Sequence, residues 1–103
     1  MQLLTKELRR QLPPLRSTDG QADALALVKF FTPDSSWTWY ASEFDGEDTF
    51  FGLVDGLELE FGYFSLRELQ SVRGHLGLPI ERDLWFTPTP IHELYDELRN
   101  ARY

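Results

Sequence analysis

Cysteine is absent from this chain, which excludes disulfides, thiolate metal sites and a cysteine nucleophile, and makes a reducing, cytoplasmic setting the natural expectation. Long apolar runs are absent too: nothing approaches the ~20 residues that span a bilayer. The opening Met1-Gln2-Leu3-Leu4-Thr5-Lys6 lacks the apolar stretch of a secretory signal. Basic residues are missing from one third of the molecule. Between Phe30 and Phe64 there is no Lys or Arg, although the segment holds eleven of the fifteen aromatic residues and eight carboxylates. Neutralising phosphates takes Lys or Arg, so this region is not expected to bind nucleic acid directly.

Motifs of chemistry are also lacking. There is no Gly-x-x-x-x-Gly-Lys loop, no Gly-x-Gly-x-x-Gly and no Gly-x-Ser-x-Gly elbow. The two histidines, His75 and His92, do not make a metal spacing with each other or with nearby carboxylates. Asp45, Glu47 and Asp48 lack the twelve-residue loop and terminal Glu of an EF-hand. No catalytic residue, cofactor or metal ligand is therefore assigned, and the protein is expected not to be an enzyme.

What is present suits one domain over residues 1–103; a chain of that length buries roughly 60–70% of the surface that it exposes when unfolded. The net charge of −7 sits in the middle. Residues 1–16 carry +3, residues 17–63 carry −9 and residues 64–103 carry −1. Two readings follow. The excess charge keeps an aromatic-rich domain soluble, or Glu43, Asp45, Glu47, Asp48, Glu58 and Glu60 form a recognition face for a basic partner.

The pattern predicts an α+β fold: a four-stranded, mainly antiparallel sheet with three short helices, N-terminal, middle and C-terminal. Thr5 caps a helix over Thr5–Leu12 that ends at Pro13-Pro14, with Lys6, Arg9 and Arg10 in solvent. A polar connector over 16–24 leads to an apolar strand over Leu25–Phe31, then a turn at Thr32–Ser36. Along the strand Trp37–Phe44, Trp37, Trp39 and Ala41 share one face and Thr38, Tyr40 and Ser42 the other. Thr49–Val54 is the third strand. Asp55-Gly56 reads as a two-residue type I′ turn, which sets Val54 against Leu57, Leu53 against Glu58 and Phe51 against Glu60. Phe64-Ser65-Leu66-Arg67-Glu68-Leu69 combines a capping box with a hydrophobic staple, starting a helix that runs to about Arg73 and stops at Gly74. Residues 75–89 read as a loop with a turn near Ile80–Asp83 and an extended Leu84–Phe86. Thr89 as N-cap and Pro90 at N1 open the last helix, whose stripe is Ile91, Leu94, Tyr95 and Leu98.

Two further places draw attention. Trp37 and Trp39 have the chemistry to stack a base or a sugar, though burial in the sheet is the simpler role. In the loop after the middle helix, Arg73, His75, Glu81, Arg82, Asp83 and Trp85 are candidates for a converging ligand site; Glu81-Arg82-Asp83 also suits plain salt bridging of an irregular loop.

Read in order, Leu3-Leu4-Thr5, Leu12-Pro13, Phe30-Phe31-Thr32-Pro33, Trp37-Thr38-Trp39-Tyr40, Phe51-Gly52-Leu53-Val54 and the block from Gly62 through Gly77-Leu78-Pro79-Ile80-Glu81-Arg82-Asp83 resemble a bacterial family, the small proteins filed as domain of unknown function 2958. The likeness covers nearly the whole chain up to Pro88. The resemblance supplies no activity and no catalytic set. It implies a setting on plasmids, phages and integrative elements, often near genes for antirestriction or element maintenance. The expectation is a non-enzymatic, acidic interaction protein that inhibits a host defence component or another nucleic-acid-handling protein, with a basic protein surface as its partner. The alternatives are a small-ligand binder or enzyme with its site in the 74–86 loop, and an accessory subunit of an element-encoded complex. No oligomeric state is assigned from the sequence.

Overall fold

The computed structural model describes residues 1–102. Its elements in chain order are α1 (Lys6–Gln11), β1 (Leu25–Ala26), β2 (Val28–Phe31), β3 (Thr38–Phe44), β4 (Thr49–Asp55), β5 (Leu59–Ser65), α2 (Leu66–Ser71), β6 (Glu81–Arg82), β7 (Thr89–Pro90) and α3 (Ile91–Arg102). The fold is α+β with antiparallel pairing throughout. The main sheet has five strands in the order β5-β4-β3-β2-β6, and β1 and β7 form a separate two-stranded sheet.

Alternation along the strands builds two cores, one on each face of the main sheet. Register places Phe30, Trp39, Val54 and Glu60 in one cross-strand row and Lys29, Tyr40, Leu53 and Phe61 in the next, which points the other way. The first face packs Phe30, Trp39, Phe44 and Phe50 against Leu3, Leu4, Leu12, Leu66 and Leu69 from the N-terminal segment and α2. The second packs Tyr40 and Leu53 against the α3 stripe of Ile91, Leu94, Tyr95 and Leu98. Central strand β3 is covered on both sides, and from Trp39 to Phe44 every residue is buried.

One irregularity makes that possible. A β-bulge between Ala41 and Glu43 sets Ser42 and Glu43 together against Phe51. Strict alternation would put Glu43 beside Trp39 and turn Phe44 away from Phe50. With the extra residue, Phe44 returns to the first core, 4.6 Å from the Phe50 ring centroid.

Two of the three expected N-caps form: Thr5 accepts from the Leu8 N–H at 3.2 Å and Ser65 from the Glu68 N–H at 3.2 Å. Other expectations are corrected. The apolar run 25–31 breaks at Leu27 into two strands of different sheets, a division that unbroken hydrophobicity cannot signal. The sheet gains a fifth strand because Glu81 and Arg82 pair with Phe31 and Phe30, and the turn falls at Leu84-Trp85 instead of at Ile80–Asp83. Asp55-Gly56 is not a two-residue turn. Asp55 pairs with Leu59 across a three-residue loop, so Leu53 faces Phe61 and Val54 faces Glu60. The expected register would have set Glu58 against Leu53 under α3. Arg102 holds the longer loop from the far end of the chain, donating to the Asp55 carboxylate and to the Gly56 and Leu57 carbonyls.

Helix α2 ends at Ser71, with Val72 already extended, so Gly74 is no helix stop. A Cβ at Gly74 would fall 1.6 Å from Asp34 Oδ1; the glycine lets that carboxylate approach. Thr89 is not the N-cap of α3. It lies in β7, and the Ile91 N–H that opens the helix donates to the Ala24 carbonyl at 2.8 Å. Arg9 is not merely solvated, since it donates to the Gly46 carbonyl at 2.9 Å and lies 5.2 Å from the Phe44 ring centroid.

Gly52 tests the central packing. A Cβ there would lie 1.8 Å from the Tyr40 carbonyl oxygen, whereas its cross-strand partner Gly62 has nothing within 4 Å. Gly52→Ala is expected to cost about 1–3 kcal/mol through overpacking of rigid backbone, lowering the melting midpoint by roughly 4–8 °C per kcal/mol. Gly62→Ala should melt with the parent protein. Thermal circular dichroism of both variants makes the comparison.

Candidate functional site

Backbone N–H groups receive half of the acidic side chains that the sequence groups together, Glu43, Asp45 and Asp48. Glu43 is 2% exposed, because the bulge turns it beneath the connector that precedes β1. Its carboxylate accepts from the Arg16 N–H at 2.7 Å, from the Thr18 N–H at 3.1 Å and from the Thr18 hydroxyl. To aim its N–H there, Arg16 takes φ of 68°, the one non-glycine residue with positive φ among the described residues. Such a conformation costs of order 1 kcal/mol and persists because the carboxylate rewards it. Glu43 is therefore a buried fastening and not part of a surface.

Asp45 Oδ1 accepts from the N–H groups of Glu47, Asp48 and Thr49 at 2.8, 2.8 and 3.0 Å, closing the β3–β4 turn. Asp48 accepts from the Ser65 hydroxyl at 2.6 Å and from the Arg67 N–H at 2.8 Å, which adds it to the cap of α2. Four of the six grouped carboxylates are exposed: Asp45, which is nevertheless spent on the N–H groups of its turn, and Glu47, Glu58 and Glu60. They do not share a face. Glu47 and Glu58 lie in turns at opposite ends of β4, and Glu60 stands on the α2 side of β5.

The loop candidates divide between two hollows. Glu81, Arg82, Asp83 and Trp85 line one of about 420 Å³, with Lys29 and Phe31 from β2. Arg82 ties the chain start to the sheet edge, donating to the Gln2 and Leu3 carbonyls at 2.5 and 3.0 Å. Asp83 braces the turn: its N–H donates to the Lys29 carbonyl at 2.8 Å, its carboxylate lies 3.5 Å from Lys29 Nζ, and it accepts from the Trp85 N–H at 2.9 Å. The turn so fixed holds Trp85 92% exposed and Leu84 63% exposed.

Arg73 and His75 line the other hollow, also about 420 Å³, with Trp37, Trp39 and Val72. The Arg73 guanidinium donates to the Gln70 and Val72 carbonyls at the end of α2. Asp34 pins the segment that carries His75, accepting from the Leu76 N–H at 2.7 Å and the Leu78 N–H at 3.3 Å. Sequence reasoning passed over Asp34; a Pro-Asp-Ser-Ser turn signals only a local role, and its partners lie more than forty residues away. Lys29 was missed likewise, because its lining role arises from strand pairing.

These carboxylates set the acid limit of the fold. Three backbone N–H groups hold the Asp45 pKa below the ordinary 3.8, and the Ser65 hydroxyl and then the Arg67 N–H do so for Asp48. At Asp34 desolvation is the largest single influence and raises the pKa, but the Leu76 and Leu78 N–H groups together prevail and the net shift is downward. A depressed folded-state pKa contributes stability above the unfolded value that is lost as pH falls through the folded one. The melting midpoint should therefore hold from neutrality to about pH 5 and drop below about pH 4. The double variant Asp45→Asn/Asp48→Asn should melt lower at pH 7 and show a shallower acid decline. At constant pH, Glu43→Ala should cost about 2–4 kcal/mol by orphaning its three donors. Melting curves from pH 7 to 2.5 test all of these.

Among the described residues, no group of three or more His, Cys, Asp or Glu side chains is placed to hold a metal ion, and no helix is long and apolar enough to cross a membrane. The chain matches no curated protein and no solved structure. Residues 3–102 match the family described as "Protein of unknown function (DUF2958)". With a match across nearly its whole length, in agreement with the blocks from Leu3-Leu4-Thr5 to Glu81-Arg82-Asp83, the chain belongs to the DUF2958 family.

Proposed function

We propose that this protein works by binding another protein, without catalysis, and that the turn carrying Trp85 is where it binds. One observation carries the reading: a tryptophan 92% exposed on a turn that is not loose. Asp83 fixes that turn through its bonds to Lys29 and to the Trp85 N–H. A Trp side chain offers about 150–250 Å² for burial, so on the order of 4 kcal/mol of hydrophobic free energy goes unrealised while it faces water. Interface energy concentrates in such residues, especially where polar groups ring them and exclude water. Lys29, Glu81, Arg82 and Asp83 provide that ring. Their two positive and two negative charges balance, which suits a mixed protein surface and not a phosphate backbone.

The acidic-face mechanism loses ground by the same geometry, since Glu43, Asp45 and Asp48 are committed internally. In the mobile-element setting that the family resemblance implies, the partner class is a host defence protein or other nucleic-acid-handling protein.

Tagged parent protein, Trp85→Ala and Glu47→Lys/Glu58→Lys, each captured against lysate of a host carrying restriction and CRISPR machinery, would be compared by mass spectrometry. Trp85→Ala should fold with a melting midpoint near that of the parent, since it removes an exposed side chain, and should lose the enriched partner. The charge-reversed variant should keep it. Equal capture by the parent and Trp85→Ala, or loss only on charge reversal, would reject this reading in favour of the acidic one.

A further inference from the structure

We infer that the cleft between α2 and the main sheet is a second binding site, one that seats an Arg or Lys side chain of a basic polypeptide segment against Trp37 and Trp39, with Glu60 and Glu68 as its counter-charges. The cleft floor is aromatic: half-buried Trp37 presents ring surface to the cleft, and Trp39, 8% exposed, backs it from the core. Trp37 and Trp39 stand two residues apart on one face, with ring centroids 5.8 Å apart and planes at 29°. They line two hollows, of about 350 and 420 Å³, which also share Val72.

Glu60 ends the cross-strand row Phe30, Trp39, Val54, Glu60 at the open edge of the sheet. On a row that is otherwise core, a carboxylate faces the same cleft as the tryptophans. Glu68 reaches the cleft from α2. Both are exposed, and among the described residues neither lies in an ion pair. The indole face is the strongest aromatic partner for a cation, and two unpaired carboxylates beside it complete a seat for a guanidinium or ammonium group. Arg73 and His75 stand at the other end. A cation is therefore drawn toward the Glu60 and Glu68 end, while the apolar floor takes the aliphatic flank of the segment.

The three indole N–H signals of ¹⁵N-labelled protein give a direct test, since one belongs to each of Trp37, Trp39 and Trp85. Titration with acetyl-Gly-Leu-Arg-Leu-Gly-amide should move the Trp37 and Trp39 signals to saturation and leave Trp85 in place. The citrulline peptide, which keeps the shape but not the charge, should bind about tenfold more weakly, as should the parent peptide to Glu60→Gln/Glu68→Gln. That variant should melt with the parent, because both side chains face solvent. Absence of any shift, or equal binding of the citrulline peptide, would overturn the inference. So would acetyl-arginine-amide binding as tightly as the peptide, which would reduce the occupant to a small cation. A response at Trp85 alone would also overturn it while leaving the Trp85 interaction standing.

Discussion

Strand β3 must serve two hydrophobic cores at once, and the bulge at Ser42-Glu43 is what allows it. The strand pairs on both edges and is covered on both faces, so every side chain from Trp39 onward needs a place in one core or the other. Alternation alone would send Phe44 away from Phe50 and bring Glu43 beside Trp39. One inserted residue corrects the first fault, and a carboxylate beneath the 16–18 connector resolves the second. The connector in turn accepts a left-handed Arg16. The position of α3 follows, because the chain beyond the connector forms β1, pairs with β7 and receives the first N–H of α3 at the Ala24 carbonyl.

The same device recurs. Of the eight carboxylates between Phe30 and Phe64, Asp34, Glu43, Asp45 and Asp48 accept from backbone N–H groups and Asp55 pairs with Arg102. A small domain with short helices and tight turns leaves many N–H groups without intrahelical or ladder partners. Aspartate satisfies several of them with one side chain, as Asp45 does for three. Much of the acidity in the middle of this chain thus also serves its scaffold.

Local grammar was legible and distant closure was not. Thr5 and Ser65 announce their helices because a cap involves residues three apart. The α3 stripe and the two faces around Trp39 and Tyr40 follow from period alone. The Asp55-Gly56 register failed because Arg102, some forty-six residues away, holds a longer loop. Gly74 looked like a helix stop when its reason is a carboxylate from the turn before β3. The ligand-loop residues split into two hollows because Asp34 carries the 74–78 segment toward Trp37, while β6 pairing carries Glu81–Trp85 to the opposite edge of β2. In each case the deciding partner lies far off in sequence, where neither propensity nor spacing reports it.

Removing the groups that the scaffold uses leaves a short remainder, and that remainder is where function has room. Glu47 and Glu58 stand alone in turns. Trp85 and Leu84 face water on a braced turn, and Glu60 and Glu68 flank an aromatic floor without basic partners. A fold that finds a partner for most of its buried polar groups, yet leaves a tryptophan and a carboxylate pair unanswered, directs attention to an outside molecule at both places. The two differ in chemistry. The Trp85 turn is charge-balanced and depends on apolar burial, whereas the α2 cleft is acidic over indole and depends on a cation. Binding at the first should therefore be nearly indifferent to salt, and binding at the second should weaken as salt rises. Salt dependence thus distinguishes which surface a partner has engaged.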